Sequence, residues 1–229
     1  MSLVTSFKRI RINIQKYSKR PDNVSFIAVT KNRSIAEIKE ILDLGINRIG
    51  ENRVQEALKK FPFLSVPSYF PVTKLEKHFI GHLQKNKVAL AIEHFDWIDS
   101  VDSLELARKI DMEAGKKSKK IFILIEVNIS EDPRKYGIET ENTEKMLRQL
   151  ETLKNLSVKG LMTIGKKTEN REEIRRYYKN FYQLFKNLQN KHIPGVELEI
   201  LSMGMSDDYK IALEEGSNMI RLGRALFEL

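Results

Sequence analysis

The chain has no cysteine among its 229 residues, and no apolar run reaches the roughly 18 residues that a membrane-spanning helix needs. The first absence excludes disulfides and thiolate metal sites, and it is consistent with a reducing compartment. The second predicts a soluble protein, and the N-terminus lacks the apolar segment of a secretory signal peptide. We therefore expect a cytoplasmic protein.

Basic residues outnumber acidic residues by 40 to 31, which gives a net charge of +9. This charge raises the question of nucleic-acid binding, but the lysines are spread along the whole chain. The densest basic run, GKKSKK at 115–120, has no aromatic residues on which bases could stack. The sequence therefore predicts a solvated, lysine-rich surface and no nucleic-acid partner.

Strand-like and helix-like patterns alternate from one end of the chain to the other. β-Branched and apolar runs predict eight strands, at 24–30, 46–51, 78–81, 97–100, 121–128, 158–163, 198–203 and 218–222. Helical periods lie between them, at 35–44, 54–61, 104–114, 143–153 and 174–188. Three prolines, Pro62, Pro67 and Pro71, mark one irregular loop before the third strand. Eight strands with crossover helices predict a single (β/α)8 barrel domain over residues 1–229.

An additional amphipathic helix is predicted before the first strand. Its apolar residues, Leu3, Phe7, Ile10, Ile14 and Tyr17, recur at helical spacing with basic residues between them. A transit peptide or a membrane-surface segment would show the same pattern, but we favour a helix that packs on the barrel.

The last thirty residues contain two short strands, each followed by a turn of small residues. Ser202, Gly204 and Ser206 lie at the end of the seventh predicted strand, and Gly223 and Arg224 follow the eighth. Backbone N–H groups, hydroxyls and a helix start favour an anion, and barrels of this type hold phosphate after strands seven and eight. The two turns therefore predict a phosphate site.

Lys31 directly follows the first predicted strand, at the end of the segment VSFIAVTK. A lysine at the end of a buried strand is expected to be partly desolvated, which favours the uncharged amine that Schiff-base chemistry needs. An ordinary surface lysine is the alternative. Because the first and eighth strands of a barrel are neighbours, one ligand could contact Lys31 and both turns.

Several motifs resemble the pyridoxal phosphate homeostasis family, the single-domain relatives of the N-terminal barrel of alanine racemases. They are AVTK at 28–31, IGENRVQE at 49–56, HFIGHLQKNK at 78–87, GLMTI at 160–164, LSMGMSDD at 201–208 and IRLGRALF at 220–227. The resemblance implies that Lys31 carries pyridoxal 5′-phosphate and that Arg221 donates to the pyridine nitrogen. The implied cofactor-binding set is Lys31, Asn52, Met203, Ser206, Arg221, Gly223 and Arg224.

Three of these predictions have structural alternatives. Asn52 could cap the following helix, and Arg221 could form a structural salt bridge. Asp207 and Asp208 are expected to be acids of a first helical turn. His82 follows a strand rather than a helix, so we expect no metal site there.

The resemblance leaves two functions open. The first is a non-catalytic protein that buffers pyridoxal phosphate or delivers it to apo-enzymes, and the second is an amino-acid racemase. Racemisation needs a base on each face of the substrate, and we find no tyrosine in a strand-end motif to act as the second base. We therefore predict a monomeric carrier without catalytic residues.

Overall fold

The computed structural model describes residues 2–64, 74–130, 132, 134–165 and 168–228. The described strands are β1 (Ser25–Val29), β2 (Arg48–Glu51), β3 (Glu76–Phe79), β4 (Trp97–Val101), β5 (Ile121–Asn128), β6 (Ile138–Glu139), β7 (Leu156–Met162), β8 (Val196–Ser202) and β9 (Met219–Leu222). All described pairings are parallel, and β1 pairs with both β2 and β9 while β4 pairs with β5. Strands β1 to β5 and β7 to β9 thus close the expected eight-stranded barrel.

Strand β6 was not predicted. It contains two residues and pairs only with the end of β5, through Val127 and Asn128. A pair this short has no periodicity from which a sequence could indicate it. The other strands lie within about two residues of their predicted ends. Pro67 and Pro71 of the predicted proline loop lie outside the described residues, and Pro62 is in a short 3-10 turn, Phe61–Phe63.

The helices in the described residues surround the barrel. They are α1 (Leu3–Tyr17), α2 (Ile35–Asp43), α3 (Val54–Lys60), α4 (Val88–His94), α5 (Leu104–Lys116), α6 (Thr143–Gln149), α7 (Arg171–Asn190), α8 (Tyr209–Glu214) and α9 (Arg224–Phe227). Sequence signals set several boundaries: Ser34 and Glu37 form a reciprocal capping box at α2, and the Asn170 side chain accepts from Glu172 and Glu173 at α7.

Apolar side chains form two clusters, one on each side of the sheet. The large cluster fills the space between strands and helices, and the small one inside the barrel consists of Ile27, Leu124, Met162 and Met219. The predicted N-terminal helix α1 contributes Ile10 and Ile14 to the large cluster and lies against α8 and α9. Packing on the barrel is therefore confirmed for this helix. Among the described helices, none is long and apolar enough to cross a bilayer.

Candidate functional site

The carboxyl ends of β1, β8 and β9 bring the two ends of the chain together at one mouth of the barrel. The backbone N–H of Thr30 donates to the Gly50 carbonyl at 2.9 Å, which continues the β1–β2 ladder beyond Val29. A Cβ built on Gly223 would lie 3.5 Å from the Cβ of Val29. The turn after β9 is therefore adjacent to the segment that carries Lys31, as the barrel closure predicted.

Lys31 lies in the turn between β1 and α2. Alternate residues of a strand face the same side, so Lys31 follows the interior-facing positions of Ile27 and Val29. The residue is exposed, however, and the partial burial expected of it is wrong. The reason is that β1 ends at Val29, two residues before Lys31, which places Lys31 beyond the sheet edge. The amine is thus accessible from the mouth.

The two C-terminal turns are joined to each other. The Ser206 hydroxyl accepts from the Ala225 backbone N–H at 3.1 Å, and the Arg221 N–H donates to the Gly204 carbonyl at 3.0 Å. Gly204 has φ of +95°, and an added Cβ would lie 2.5 Å from that of Ala212. Only glycine can adopt the positive φ and also avoid the clash with Ala212, so Gly204 determines the backbone conformation of the first turn.

The Arg224 side chain points away from this junction and pairs with Asp207 at 2.5 Å on the surface. Only the main chain of Arg224 therefore remains near Gly223 and Ser206. Asp208 precedes α8 as its cap residue instead of lying in the first turn, because the helix begins at Tyr209.

Arg221 is buried, 4% exposed, and lies on β9 with its side chain inside the barrel. Its guanidinium donates to the Ser202 hydroxyl at 2.6 Å and to the Thr163 carbonyl at 2.7 Å. Among the described residues no carboxylate lies within ion-pair distance of it, so the structural salt bridge considered above does not occur. Both acceptors are neutral, and the positive charge of Arg221 is not matched by direct contact.

Glu126 on β5 is a second buried ionisable group of the barrel interior, 3% exposed. Its pKa is raised to about 7, because burial and the nearby Asp102 raise it by more than the positive charge of Arg221 lowers it. Glu126 was not among the predicted site residues, although a single glutamate in the apolar run IFILIEVN is a visible signal. It gives the interior a carboxyl that changes charge near neutral pH.

Asn52 and Met203 differ in which part of the residue can contact a ligand at the mouth. Asn52 is half-buried after β2, and helix α3 is capped by Arg53, so the capping alternative for Asn52 is wrong. A Cβ on Gly81 would lie 2.4 Å from the Asn52 carbonyl oxygen, which makes glycine necessary beside it. The Met203 side chain belongs to the cluster between sheet and helices, so only its main chain faces the mouth.

A second group of side chains follows β3, β4 and β5. His82 Nδ1 lies 3.2 Å from Asp102 Oδ2, and the His82 ring stacks on Tyr136 with centroids 3.6 Å apart. A tyrosine therefore does lie beside a residue of the mouth, which the strand-end motifs had not indicated. In the described part of the chain, no group of three or more His, Cys, Asp or Glu side chains is arranged to hold a metal ion.

Behind the first C-terminal turn, Tyr178 of α7 fixes Asp208. The Tyr178 hydroxyl donates to Asp208 Oδ2 at 2.8 Å, and Asp208 Oδ1 accepts from the Met205 backbone N–H at 2.6 Å. Burial, with the negative charge of Asp208, raises the pKa of Tyr178. The pair supports the turn that carries Ser206.

These features define an α/β barrel with a lysine, two small-residue turns and a buried arginine at one mouth. The chain belongs to the alanine racemase N-terminal domain family, whose pattern it matches over residues 6–229. It is 36% identical to the pyridoxal phosphate homeostasis protein of Aquifex aeolicus, covering 99% of this chain and 98% of that one. The corresponding protein of Pasteurella multocida is 32% identical, with coverage of 99% and 97%.

Solved structures agree with this assignment. PipY of Synechococcus elongatus with pyridoxal phosphate bound superposes with a TM-score of 0.85 at 34% identity, covering 99% of this chain and 100% of PipY. Alanine racemase of Clostridium difficile superposes with a TM-score of 0.74 at 16% identity, covering 96% of this chain and 55% of the racemase. At that identity the racemase shares the fold alone.

Proposed function

We propose that this protein binds pyridoxal 5′-phosphate as a Schiff base on Lys31 and serves in the intracellular homeostasis of this cofactor. The observation that carries the proposal is the arrangement of Lys31, two small-residue turns and Arg221 around one barrel mouth. The similarity to PipY, whose structure contains pyridoxal phosphate, supports it. When bound, the cofactor supplies an aldehyde and an electron-withdrawing ring.

The residues present fit the two ends of the cofactor. Ser206 offers a hydroxyl, and the main chain of Gly223 and Arg224 begins a helical turn next to it, a combination that suits phosphate. Arg221, a permanent donor inside the barrel, suits the ring nitrogen as acceptor. Asn52 and the main chain of Met203 complete the proposed binding set.

Arg221 also bears on catalysis. A guanidinium keeps an acceptor nitrogen unprotonated, which makes an attached ring a weaker electron sink. Its hydrogen-bond partners, Ser202 and Thr163, are neutral, so the guanidinium remains a cation that would repel a proton at that position. This favours holding the cofactor over turning over amino acids.

A racemase is the second candidate, because His82, Asp102 and Tyr136 form a cluster that could supply a second base. We favour the carrier, since the relatives matched over nearly their whole length are named homeostasis proteins. In this role the protein would act as a cytoplasmic monomer, with apo-enzymes as recipients of the cofactor and without catalytic residues.

Reduction with borohydride tests the covalent link. The protein incubated with pyridoxal phosphate should absorb in the visible region, and reduction should leave the cofactor attached to Lys31 in a peptide map. Lys31→Ala should lose both the band and the adduct. Retention of both by the variant would refute the assignment.

Exchange of the substrate α-proton separates the two functions. Because Arg221 disfavours the carbanion, amino acids incubated with the loaded protein in deuterium oxide should show no exchange above the free cofactor. Exchange at about 1 per second or faster, abolished by Lys31→Ala, is the result expected of a racemase. Tyr136→Phe then tests whether the second cluster provides the base.

A further inference from the structure

The turn that carries Lys31 is held on its two sides by two side chains of helix α3, Lys60 and Glu56. Lys60 is buried, 7% exposed, and its Nζ donates to the Thr30 carbonyl at 2.7 Å. That carbonyl belongs to the peptide bond between Thr30 and Lys31. A buried lysine is uncommon in proteins, and this one directs its charge at the main chain next to the proposed cofactor lysine.

The other side of Lys31 is held by Glu56, one helical turn before Lys60. Glu56 Oε1 accepts the Asn32 backbone N–H at 2.5 Å and also accepts from Lys60 Nζ at 2.6 Å. Hydrogen bonds to charged groups are stronger than neutral ones. The Glu56–Lys60 ion pair of α3 therefore forms hydrogen bonds with the peptide groups that precede and follow Lys31.

Glu51, at the end of β2, is a second carboxylate that contacts Lys60. It is fully buried, and its Oε1 accepts from Lys60 Nζ at 2.8 Å and from the Thr30 hydroxyl at 2.7 Å. Its other oxygen, Oε2, has no hydrogen-bond partner among the described residues. Burial raises the pKa of Glu51, while Lys60 and Asn32 keep that of Glu56 below its usual range.

The backbone conformation of Asn32 explains why the turn needs these hydrogen bonds. Asn32 has φ of +59°, in the left-handed region that non-glycine residues rarely adopt. A strained turn persists where surrounding contacts determine it, and here the contacts come from Lys60 and Glu56. Lys31 itself is exposed, so the main chain must fix where its amine can reach.

We infer that Lys60, together with Glu56, is a positioning group that holds the Thr30–Lys31–Asn32 turn so that the Lys31 amine meets the aldehyde of the cofactor. The inference rests on the proposed function. It assigns no contact between Lys60 and the cofactor. Covalent capture then depends on the Lys31 turn, whereas recognition of phosphate and ring depends on the turns after β8 and β9 and on Arg221.

Two ligands that differ only at the reactive carbon test the inference. Pyridoxal phosphate has an aldehyde, and pyridoxine phosphate has an alcohol that cannot form the covalent bond. Lys60→Met should weaken pyridoxal phosphate by about tenfold or more, as expected for loss of a charged hydrogen bond, and leave pyridoxine phosphate within about twofold. Lys59→Met, the same change at the exposed neighbour, is the matched control and should alter neither affinity.

Glu56→Ala covers the case in which Lys60→Met does not fold, because Glu56 is only half-buried and its loss leaves Lys60 with Glu51. It should show the same selectivity for the aldehyde ligand, with a smaller loss. Equal weakening of both ligands, or no change in either, would mean that the cluster only supports the fold and would overturn the inference. If wild-type protein gives no reducible adduct on Lys31, the proposed function fails first, and wild-type protein alone reveals that.

Discussion

Glu126 is expected to make the stability of this barrel depend on pH near neutrality. The carboxyl is buried inside the barrel, and its pKa rises from an ordinary value of 4.5 to about 7. Because the folded state binds the proton more tightly than the unfolded state, the folded state is favoured most at low pH. Stability contributed by this group falls as pH rises from about 4.5 to about 7, and it stays level above that.

The size of the effect follows from the same two values. At about 1.4 kcal/mol for each pH unit, the free energy of unfolding should lose about 3 kcal/mol across this interval. Glu126→Gln keeps the shape of the side chain but cannot ionise. At pH 8 the variant should therefore be more stable than wild type by about 3 kcal/mol, and at pH 5 the difference should fall to about 1 kcal/mol or less.

Urea unfolding at pH 5, 6, 7 and 8 measures this difference, with Glu40→Gln, the same change at an exposed position of α2, as the matched control. Comparing each variant with wild type at the same pH removes contributions of other groups, such as His78, whose buried contact with Asp99 raises its pKa. A constant difference between Glu126→Gln and wild type from pH 5 to pH 8 would refute the reasoning. It would show that attraction to Arg221 outweighs burial and keeps Glu126 ionised throughout.

Two further substitutions test the mouth. Ser206→Ala should weaken pyridoxal phosphate about tenfold or more but hardly affect unphosphorylated pyridoxal, because it removes a donor to the phosphate alone; equal losses in equilibrium titrations would contradict the phosphate assignment. Gly81→Ala should lower the free energy of unfolding in urea by about 1 to 3 kcal/mol, since its Cβ would lie 2.4 Å from the Asn52 carbonyl. No loss of stability there would mean that the β2 and β3 ends move apart easily.

The barrel and the turns of the mouth could be predicted because both depend on local patterns. Strands buried on both faces are continuous apolar runs, and β5 was predicted with its observed limits, Ile121–Asn128. Glycine is a signal for turns in any chain, and Gly204 and Gly223 mark the two turns here. Once the number of strands is eight, closure brings the turn after the last strand beside Lys31 without further information.

The partners of charged side chains could not be predicted in the same way. Lys60 and Glu56 have the spacing of an ordinary surface ion pair on a helix, and nothing in the sequence says that this pair faces the Lys31 turn. The burial of Lys31 was wrong for a related reason. β1 ends at Val29, one residue before its predicted end, and such a change moves a side chain from the sheet edge into solvent; strand ends are the least certain feature of a sequence-based assignment.

The two buried cations Lys60 and Arg221 differ in what surrounds them, and the difference is consistent with the separate roles proposed for them. Lys60 lies between two carboxylates, so its charge is compensated within the protein and its hydrogen bonds hold the protein's own main chain. Within the described part of the chain, Arg221 donates its hydrogen bonds to neutral acceptors, Ser202 and Thr163. A buried charge without a bonded counter-charge is costly unless a ligand completes its surroundings. These surroundings suit Lys60 to the proposed positioning of the lysine turn and suit Arg221 to the proposed contact with a ligand acceptor.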